Sequence, residues 1–547
     1  MLTRDASSLT FRTNKIGPFF SRRIISLQEI ERMIWRNAFV FLIPWSIFIH
    51  STRAWVAFDH NVRVRRNADT VANGLQSVPA VEEESLASFA TSTSQKDSSI
   101  ANVSSNNQEP RGKAFEQQTP HSGRHFVPSH PAYRHRRFFR RRGRFMEGWY
   151  YRLTTSEGSF AIIPSIEDAG NPKSDLKLAC IQIVGPDNTY LVQADVDDTK
   201  FWAWKKQQGL GFTFDYEPDA NVDCTTTALE PFDWHRVVKS GFQILPDRFL
   251  GKIHGHDGSM GGVLPGQGVP GTCSFDFSVK PICGWGDTKG PQKRTGGWLS
   301  RFAIFEPHWQ VTLADGRATG TITWQNRTIS FVDAPFYAEK NWGAALPSKW
   351  YWTQCNSFPG YEQLSVTAGG GIRKLPFGGR EALGMVCVHV NGTFYEATPW
   401  TGSMSWKVET WGNWELSGRS VFTDRPFEVE ISYRVDPSIT PGLVFRAPTP
   451  DEGMVLFCRD TFEAQTTLTL WELVWDKETK EYIRKPGPPL IDQATSNVGG
   501  AEVGGGPWWD TWKATSQVSK PVMFALRLPL RAQALINKIK QRKRRNM

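Results

Sequence analysis

From about residue 145 the chain breaks into short runs of alternating apolar and polar residues, separated by Gly, Pro, Asn and Asp. "GSFAIIPSIED", "TYLVQADV", "HWQVTLADG", "GTITWQNRTISFVDA", "FEVEISYRVD" and "TLTLWEL" are examples. A period of two sends successive side chains to opposite faces, which is the pattern of a strand. In "MVCVHVNGTFYEA" an Asn-Gly separates two such runs and predicts a tight hairpin. About twenty runs of this kind, with almost no amphipathic helical pattern, predict an all-β protein of two barrels or sandwiches in tandem. The clearest exception is "PVMFALRLPLRAQALINKIKQRKRR", apolar then basic, which reads as a packed helix or an interfacial anchor.

Upstream the texture differs. Residues 38–49, "AFVFLIPWSIFI", are apolar but too short to span a bilayer, which takes about 20 residues. A charged start at Met33 and small residues afterwards give the layout of a signal peptide. The following Arg-rich, acid-poor stretch looks like a plastid transit peptide. Together they resemble the bipartite presequence of algae with secondary plastids. Residues 60–130 are rich in Ser, Asn, Gln and Ala and read as a disordered linker. The expected organisation is a targeting segment (1–59), a transit peptide or linker (60–130), a first barrel (131–345), a second barrel (346–515) and a basic C-terminal helix or tail (516–547).

Composition alters this picture in three places. Of 547 residues, 23 are tryptophan, which suits deep apolar cavities or stacking surfaces. The net charge of +10 is more than accounted for by seven arginines in "YRHRRFFRRRGR" and six Lys or Arg in "KIKQRKRRNM". The remainder is slightly acidic, so a nucleic-acid-binding face is not expected, and the basic clusters suit an anionic membrane surface or plain solvation. Seven scattered cysteines without a C-x-x-C argue against a disulfide framework and against structural zinc, and read as buried free thiols.

Candidate chemistry concentrates in "DAPFYAEKNWG" (333–343). On a strand, Tyr337, Glu339 and Asn341 share one face, and Phe336, Ala338, Lys340 and Trp342 the other. Glu339 is either a proton donor in a pocket or a structural ion pair with Lys340 or Arg373. In "FEPHWQV", Glu306, His308 and Gln310 share a face opposite Trp309 and Val311; His308 is a relay candidate or a core residue. Asp333, before Ala334-Pro335, is a catalytic candidate or a turn residue. "FMEGWYYRL" places Glu147, Trp149 and Tyr151 together, and "FCRDTF" places Arg459 and Asp460 on opposite faces. Glu167 and Asp168 of "SIED" are weaker candidates at a strand end. "TAGGGIR" and "EVGGGPW" lack the spacing, lysine and helix of a nucleotide loop, and read as close strand approach or bulges.

"HSGRHFVPSHP", "RFMEGWYYRL", "SIED", "CGWGD", "QKRTGGW", "FEPHWQV", "DAPFYAEKNWG", "KWYWTQCNSF", "VTAGGGIR", "RAPT", "CRD" and "EVGGGPWWDTWK" run in order from about 120 to 515. In sequence and order they resemble the tocopherol cyclases, the plastid enzymes that close the chromanol ring of vitamin E. The resemblance implies two lipocalin-like (calycin-type) β-barrels. It implies cofactor- and metal-independent, proton-initiated closure of 2-methyl- or 2,3-dimethyl-6-phytyl-1,4-benzoquinol to a tocopherol. It also implies residence in the plastid, peripheral to thylakoid or lipid globules. Glu339, Tyr337, His308 and Asp333 are then the catalytic candidates. Trp309, Trp342, Asn341, Glu306, Trp149, Arg459 and Asp460 are the candidates for holding substrate in a dry barrel cavity. An isoprenoid hydratase of the same fold and a non-catalytic prenylquinone carrier are the alternatives.

Overall fold

The computed structural model describes residues 144–516, apart from 169–173, 205–206, 220–221, 226, 260–263, 265, 298–306 and 375–378. The presequence, the linker and the C-terminal helix expected beyond residue 516 lie outside the described residues. The first sheet holds β1 (Met146–Thr155), β2 (Gly158–Glu167), β3 (Leu178–Gly185), β4 (Thr189–Asp195), β5 (Trp202–Ala203) and β6 (Leu210–Tyr216). It continues through β7 (Val238–Ile244), β8 (Arg248–Asp257), β9 (Pro270–Cys283), β10 (His308–Trp324) and β11 (Arg327–Gly343), with a short helix α1 (Pro231–Val237) before β7. The second sheet holds β12 (Lys349–Cys355), β13 (Leu364–Lys374), β14 (Arg380–Val390), β15 (Thr393–Ala397), β16 (Gly402–Val408) and β17 (Asn413–Ser420). It is completed by β18 (Phe427–Arg434), β19 (Leu443–Thr449), β20 (Gly453–Trp475), β21 (Tyr482–Arg484), β22 (Ile491–Gly505) and β23 (Trp512–Thr515).

The fold is all-β with two barrel-like sheets in tandem. In the first, the strand order is β4-β3-β2-β1-β11-β10-β9-β8-β7-β6-β5. An additional β4–β8 pairing, Leu191 with Asp257 and Val192 with His256, closes it on itself. Closure removes the exposed edges that would otherwise template pairing with another chain. In the second, β12 pairs with β13 on one side and with the late strand β22 on the other, so early and late strands are again neighbours.

The alternation read from sequence is realised where one face meets solvent. In β9, Cys273, Phe275, Phe277 and Val279 point inward and alternate with exposed residues. β1, β2 and β3 are buried along nearly their whole length on both faces. Their inner faces feed the packed interior of the first barrel, with Tyr151, Phe160, Phe249, Phe277 and Phe336. Their outer faces meet the second sheet. There Tyr150, Ile163, Tyr190, Val311 and Tyr337 pack with Trp350, Trp352, Phe394, Phe445 and Phe462. The second sheet has its own interior, built on Tyr351, Trp406, Trp414, Phe427 and Tyr433. Aromatic side chains crowd both interiors, and a cavity lined by residues of both sheets lies between them rather than inside a barrel as expected.

The buried Arg152 side chain crosses that interface. The Arg152 guanidinium donates to the Gln354 carbonyl oxygen at 3.1 Å, to Gln354 Oε1 at 2.6 Å and to the Val498 carbonyl oxygen. It lies over the Phe462 ring at 5.0 Å, and its charge opposes protonation of Asp460. All seven cysteines are buried and unbridged. Arg152→Leu leaves three oxygens, the Gln354 and Val498 carbonyls and Gln354 Oε1, without their donor. Leaving a buried acceptor unpaired costs about 1–3 kcal/mol. Urea unfolding should show a loss of that size, and a change below about 1 kcal/mol would remove Arg152 from its place in the interface.

Candidate active site

β11 delivers the central acid. Its alternation turns Phe336 and Ala338 into the first barrel's interior and Tyr337, Glu339 and Asn341 toward the second sheet. β10 lies antiparallel beside it and places Trp309 opposite Asn341. β12, from the second sheet, brings Trp352 to the same point. Three donors converge on Glu339 Oε2: the Tyr337 hydroxyl at 2.6 Å, Trp309 Nε1–H at 2.7 Å and Trp352 Nε1–H at 2.9 Å. Asn341 Nδ2–H reaches Oε1 at 3.0 Å.

Neither cation weighed as a structural partner is used. Lys340 points to the other face of β11 and pairs with Glu147 at 2.6 Å, both fully buried. Arg373 pairs with Glu381 at 2.6 Å. Among the described residues no ion pair involves Glu339. Burial raises its pKa, and the hydrogen bonds from Tyr337, Trp309, Asn341 and Trp352 oppose this without cancelling it. Because Oε2 already accepts three donors, a proton on this carboxyl belongs on Oε1. The donors on Oε2 withdraw charge from the group and make the Oε1 proton a stronger acid. Tyr337 stays a neutral phenol, its pKa raised by burial and by the Glu339 charge.

A second pair of carboxyls faces this one from the second sheet. Asp460 on β20 and Glu502 on β22 are direct cross-strand partners. The Tyr150 hydroxyl donates to Asp460 Oδ2 at 3.1 Å and the Thr461 N–H to Oδ1 at 2.7 Å. Trp350 Nε1–H donates to Glu502 Oε1. Burial, then the charge of Glu502, drives Asp460 well above the carboxylate range, with Arg152 opposing. Burial pushes Glu502 up to about 7.

These groups meet at a cavity of about 270 Å³ whose wall includes Glu339, Asn341, Trp309, Trp352, Tyr150 and Glu502. Ile163, Leu346, Leu383, Met385, Phe445 and Met454 make the rest of it largely apolar. The two glycine runs explain the space. Trp352 is flanked by Gly369 on β13 and Glu502 on β22, and Trp350 by Gly371 and Gly504. A Cβ on Gly504 would lie 2.0 Å from the Trp350 ring, and one on Gly369 3.2 Å from Trp309. The glycines are neither nucleotide loops nor bulges. They leave the tryptophan side chains room to turn into the cavity.

The remaining sequence candidates separate cleanly. His308 lines the cavity and stacks on Trp342 with ring centroids 5.0 Å apart. Trp149 also lines it, and with Trp342 it boxes the Lys340 ammonium at 5.5 and 5.3 Å. Trp342 is buried behind the wall rather than in it. Asp333 is exposed, with φ of 50°, and its N–H donates to Thr319 in an irregular stretch of β11, away from the cavity. Arg459 stacks on Trp411 at 4.2 Å and donates to the Pro441 carbonyl oxygen, also away from it. Glu306 lies outside the described residues. Glu167 reaches the wall but is engaged by Arg144, and Asp168 accepts from the Phe145 N–H at 2.8 Å. Glu502, Tyr150, Trp350 and Trp352 were missed in the sequence. The W-x-W of "KWYWTQC" set between two glycine runs was the signal that could have found them. Among the described residues no cluster of His, Cys, Asp and Glu could hold a metal ion.

Comparison with known proteins identifies the lineage. Residues 143–505 match the family model described as tocopherol cyclase-like. A chloroplastic tocopherol cyclase of Zea mays is 37% identical over 435 residues, 76% of this chain and 84% of that protein. A protein of Oryza sativa subsp. japonica, described as a probable chloroplastic tocopherol cyclase, is 36% identical over 422 residues, 74% of this chain and 82% of that protein. Among solved structures, kievitone hydratase from Nectria haematococca aligns with 67% of this chain and 90% of its own at 13% identity and a TM-score of 0.34. On the extent of the family match and the identity to the two plant proteins, this chain belongs to the tocopherol cyclase-like family.

Proposed function

We propose that the chain is a tocopherol cyclase that closes the chromanol ring of a phytyl-benzoquinol by proton-initiated, cofactor-independent addition of a phenol to an alkene. The observation that carries this reading is Glu339, a buried carboxyl with three donors on one oxygen, no cation, and an apolar cavity before it. An alkene is a very weak base, so its protonation requires an acid that is both protonated at rest and polarised. Burial shifts Glu339 toward its protonated form, and the donors on Oε2 polarise it. The Glu339 proton forms a C–H bond at the trisubstituted double bond, leaving a tertiary cation. The neighbouring phenol oxygen closes on that cation, forming the C–O bond and releasing its own proton.

The cavity supplies the rest. Folding the tail beside the ring makes closure intramolecular. The apolar wall excludes water that would capture the cation as an alcohol, which separates a cyclase from a hydratase of similar shape. The faces of Trp309, Trp350 and Trp352 stabilise the cation by about 0.5–2 kcal/mol each where a ring faces it. Both plant relatives are described as chloroplastic, which supports a plastid location, reached through the bipartite presequence. A membrane-resident quinol implies peripheral contact with a thylakoid or lipid-globule surface.

Three outcomes test the reading. Glu339→Gln should cut chromanol formation from 2-methyl-6-phytyl-benzoquinol under argon by about 100-fold or more; an unchanged rate removes Glu339 as the acid. For the pH dependence, a raised pKa keeps the acid protonated above the ordinary glutamic range, so kcat should fall on the alkaline side. Tyr337→Phe deletes a bond that favours the carboxylate, so this limb should move to higher pH while the maximal rate drops; a limb moving to lower pH contradicts the assignment. Gly369→Leu adds a side chain against Trp309 in the cavity wall. It should raise KM or abolish turnover of the phytyl substrate, and unaltered kinetics would place the tail elsewhere.

A further inference from the structure

Ring closure needs a group to take the phenolic proton, and the four side chains that hydrogen-bond Glu339 do not supply one. Tyr337, Trp309, Trp352 and Asn341 all act as donors to Glu339. His308, the relay candidate, is stacked flat on Trp342, with an interplanar angle of 29°, on the Lys340 side of the β10–β11 pair.

Across the cavity, β20 and β22 hold two carboxyls in direct register, Asp460 and Glu502. One guanidinium, Arg152, bears on Asp460 from β1. Two adjacent carboxyls facing one positive charge hold one proton and one negative charge between them. Asp460 is enclosed. It is 1% exposed, accepts from Tyr150 and from the Thr461 N–H, and does not reach the cavity wall. Glu502 is the member that does reach it, with one oxygen fixed by the Trp350 indole N–H.

We propose that Glu502 is the catalytic base, accepting the phenolic proton as the C–O bond forms, and that Asp460 is its positioning residue, holding the pair's shared proton so that Glu502 can be the anion. The assignment rests on the cyclase reading above. The balance is complete. Glu339 gives its proton to the alkene carbon, the phenol oxygen bonds to the resulting cation, and the O–H proton goes to the Glu502 carboxylate. Exchange of that proton back to Glu339 restores both groups, and nothing is oxidised or reduced. The arrangement also sets the substrate's orientation, with the quinol head toward Glu502 and Tyr150 and the reacting double bond toward Glu339.

The test separates protonation from closure. The full chain and its Glu339→Gln and Glu502→Gln variants are incubated with 2-methyl-6-phytyl-benzoquinol in deuterated water under argon, and chromanol and recovered quinol are analysed by mass spectrometry. Glu502→Gln should lose about 100-fold in kcat with KM within about threefold of wild type. Its recovered quinol should carry deuterium, because the cation still forms and collapses back to alkene. Glu339→Gln should return unlabelled quinol. Closure by Glu502→Gln at the wild-type rate, or unlabelled quinol from it, overturns the assignment while leaving Glu339 in place. If the wild-type chain forms no chromanol, the cyclase reading itself fails and this assignment falls with it.

Should Glu502→Gln not fold, Glu502→Asp carries the test. It keeps a carboxyl at the site but draws it back from the cavity by one methylene, so closure should slow by about tenfold or more while the recovered quinol still carries deuterium. An unchanged kcat, or unlabelled quinol, overturns the assignment.

Discussion

The arrangement turns on a carboxyl buried in a largely apolar interface, with no ion pair to any described residue. Burying an ionised group without a partner is costly, so such a group either protonates or gathers donors. Glu339 does both. Its donors come from β10, β11 and β12, so the acid is complete only when the two sheets are packed together. That requirement explains features that look unrelated along the chain. Lys340, next in sequence, is turned away and neutralised by Glu147, so the nearest ammonium does not hold Glu339 as a carboxylate. Arg152 carries its charge to carbonyl oxygens and toward Asp460 rather than to Glu339. Had either cation reached Glu339, the group would be a buried salt bridge and a poor proton donor.

The same requirement accounts for the position of the cavity. A barrel of eight strands is just wide enough to be filled by its own side chains, and the first barrel here is filled by phenylalanines. A cavity opens instead where two outer faces meet, and there the side chains are unequal in size. On β12, Trp350 stands between glycines on both neighbouring strands, and Trp352 between Gly369 and Glu502. Large rings next to absent side chains leave a wall that is rigid, aromatic and indented. A uniform row of medium aliphatic residues would have closed the interface instead.

How much of this was legible follows from what a period of two can and cannot report. It reports the face of a strand, so the grouping of Tyr337, Glu339 and Asn341, and the opposite grouping of Phe336 and Ala338, could be read directly. It does not report what the face looks at. On a strand exposed on one side the second face is water, and the alternation in β9 is plain. On β1 to β3 the second face is another sheet, both faces are apolar, and the contrast that marks inside from outside is lost. The interface, and with it the cavity between the sheets, was invisible for that reason. Glu502 shared that obscurity: its partner Asp460 is 42 residues earlier, and only strand register brings them together. Asp333 failed in the opposite way, sharing a motif with Glu339 but lying six residues before it, where β11 has left the interface.

On the proposed mechanism, the two sets of acids divide one problem that a single carboxyl cannot solve. An acid strong enough to protonate an alkene leaves a weak conjugate base, and that base is held by three donors on Oε2 at the moment the phenol must lose its proton. A separate acceptor removes the conflict, because it can be tuned without weakening the acid. The two sites differ in how they are tuned. Three donors crowd one oxygen of Glu339, whereas Glu502 has a second carboxyl beside it, one indole N–H and the weakly donating Cys458 thiol. The first environment strengthens an acid and the second keeps a proton acceptor available. Because the donors to Glu339 come from both sheets and the acceptor pair lies wholly on the second, neither barrel alone contains the site. Docking the barrels onto each other is thus the step that creates the chemistry as well as the cavity.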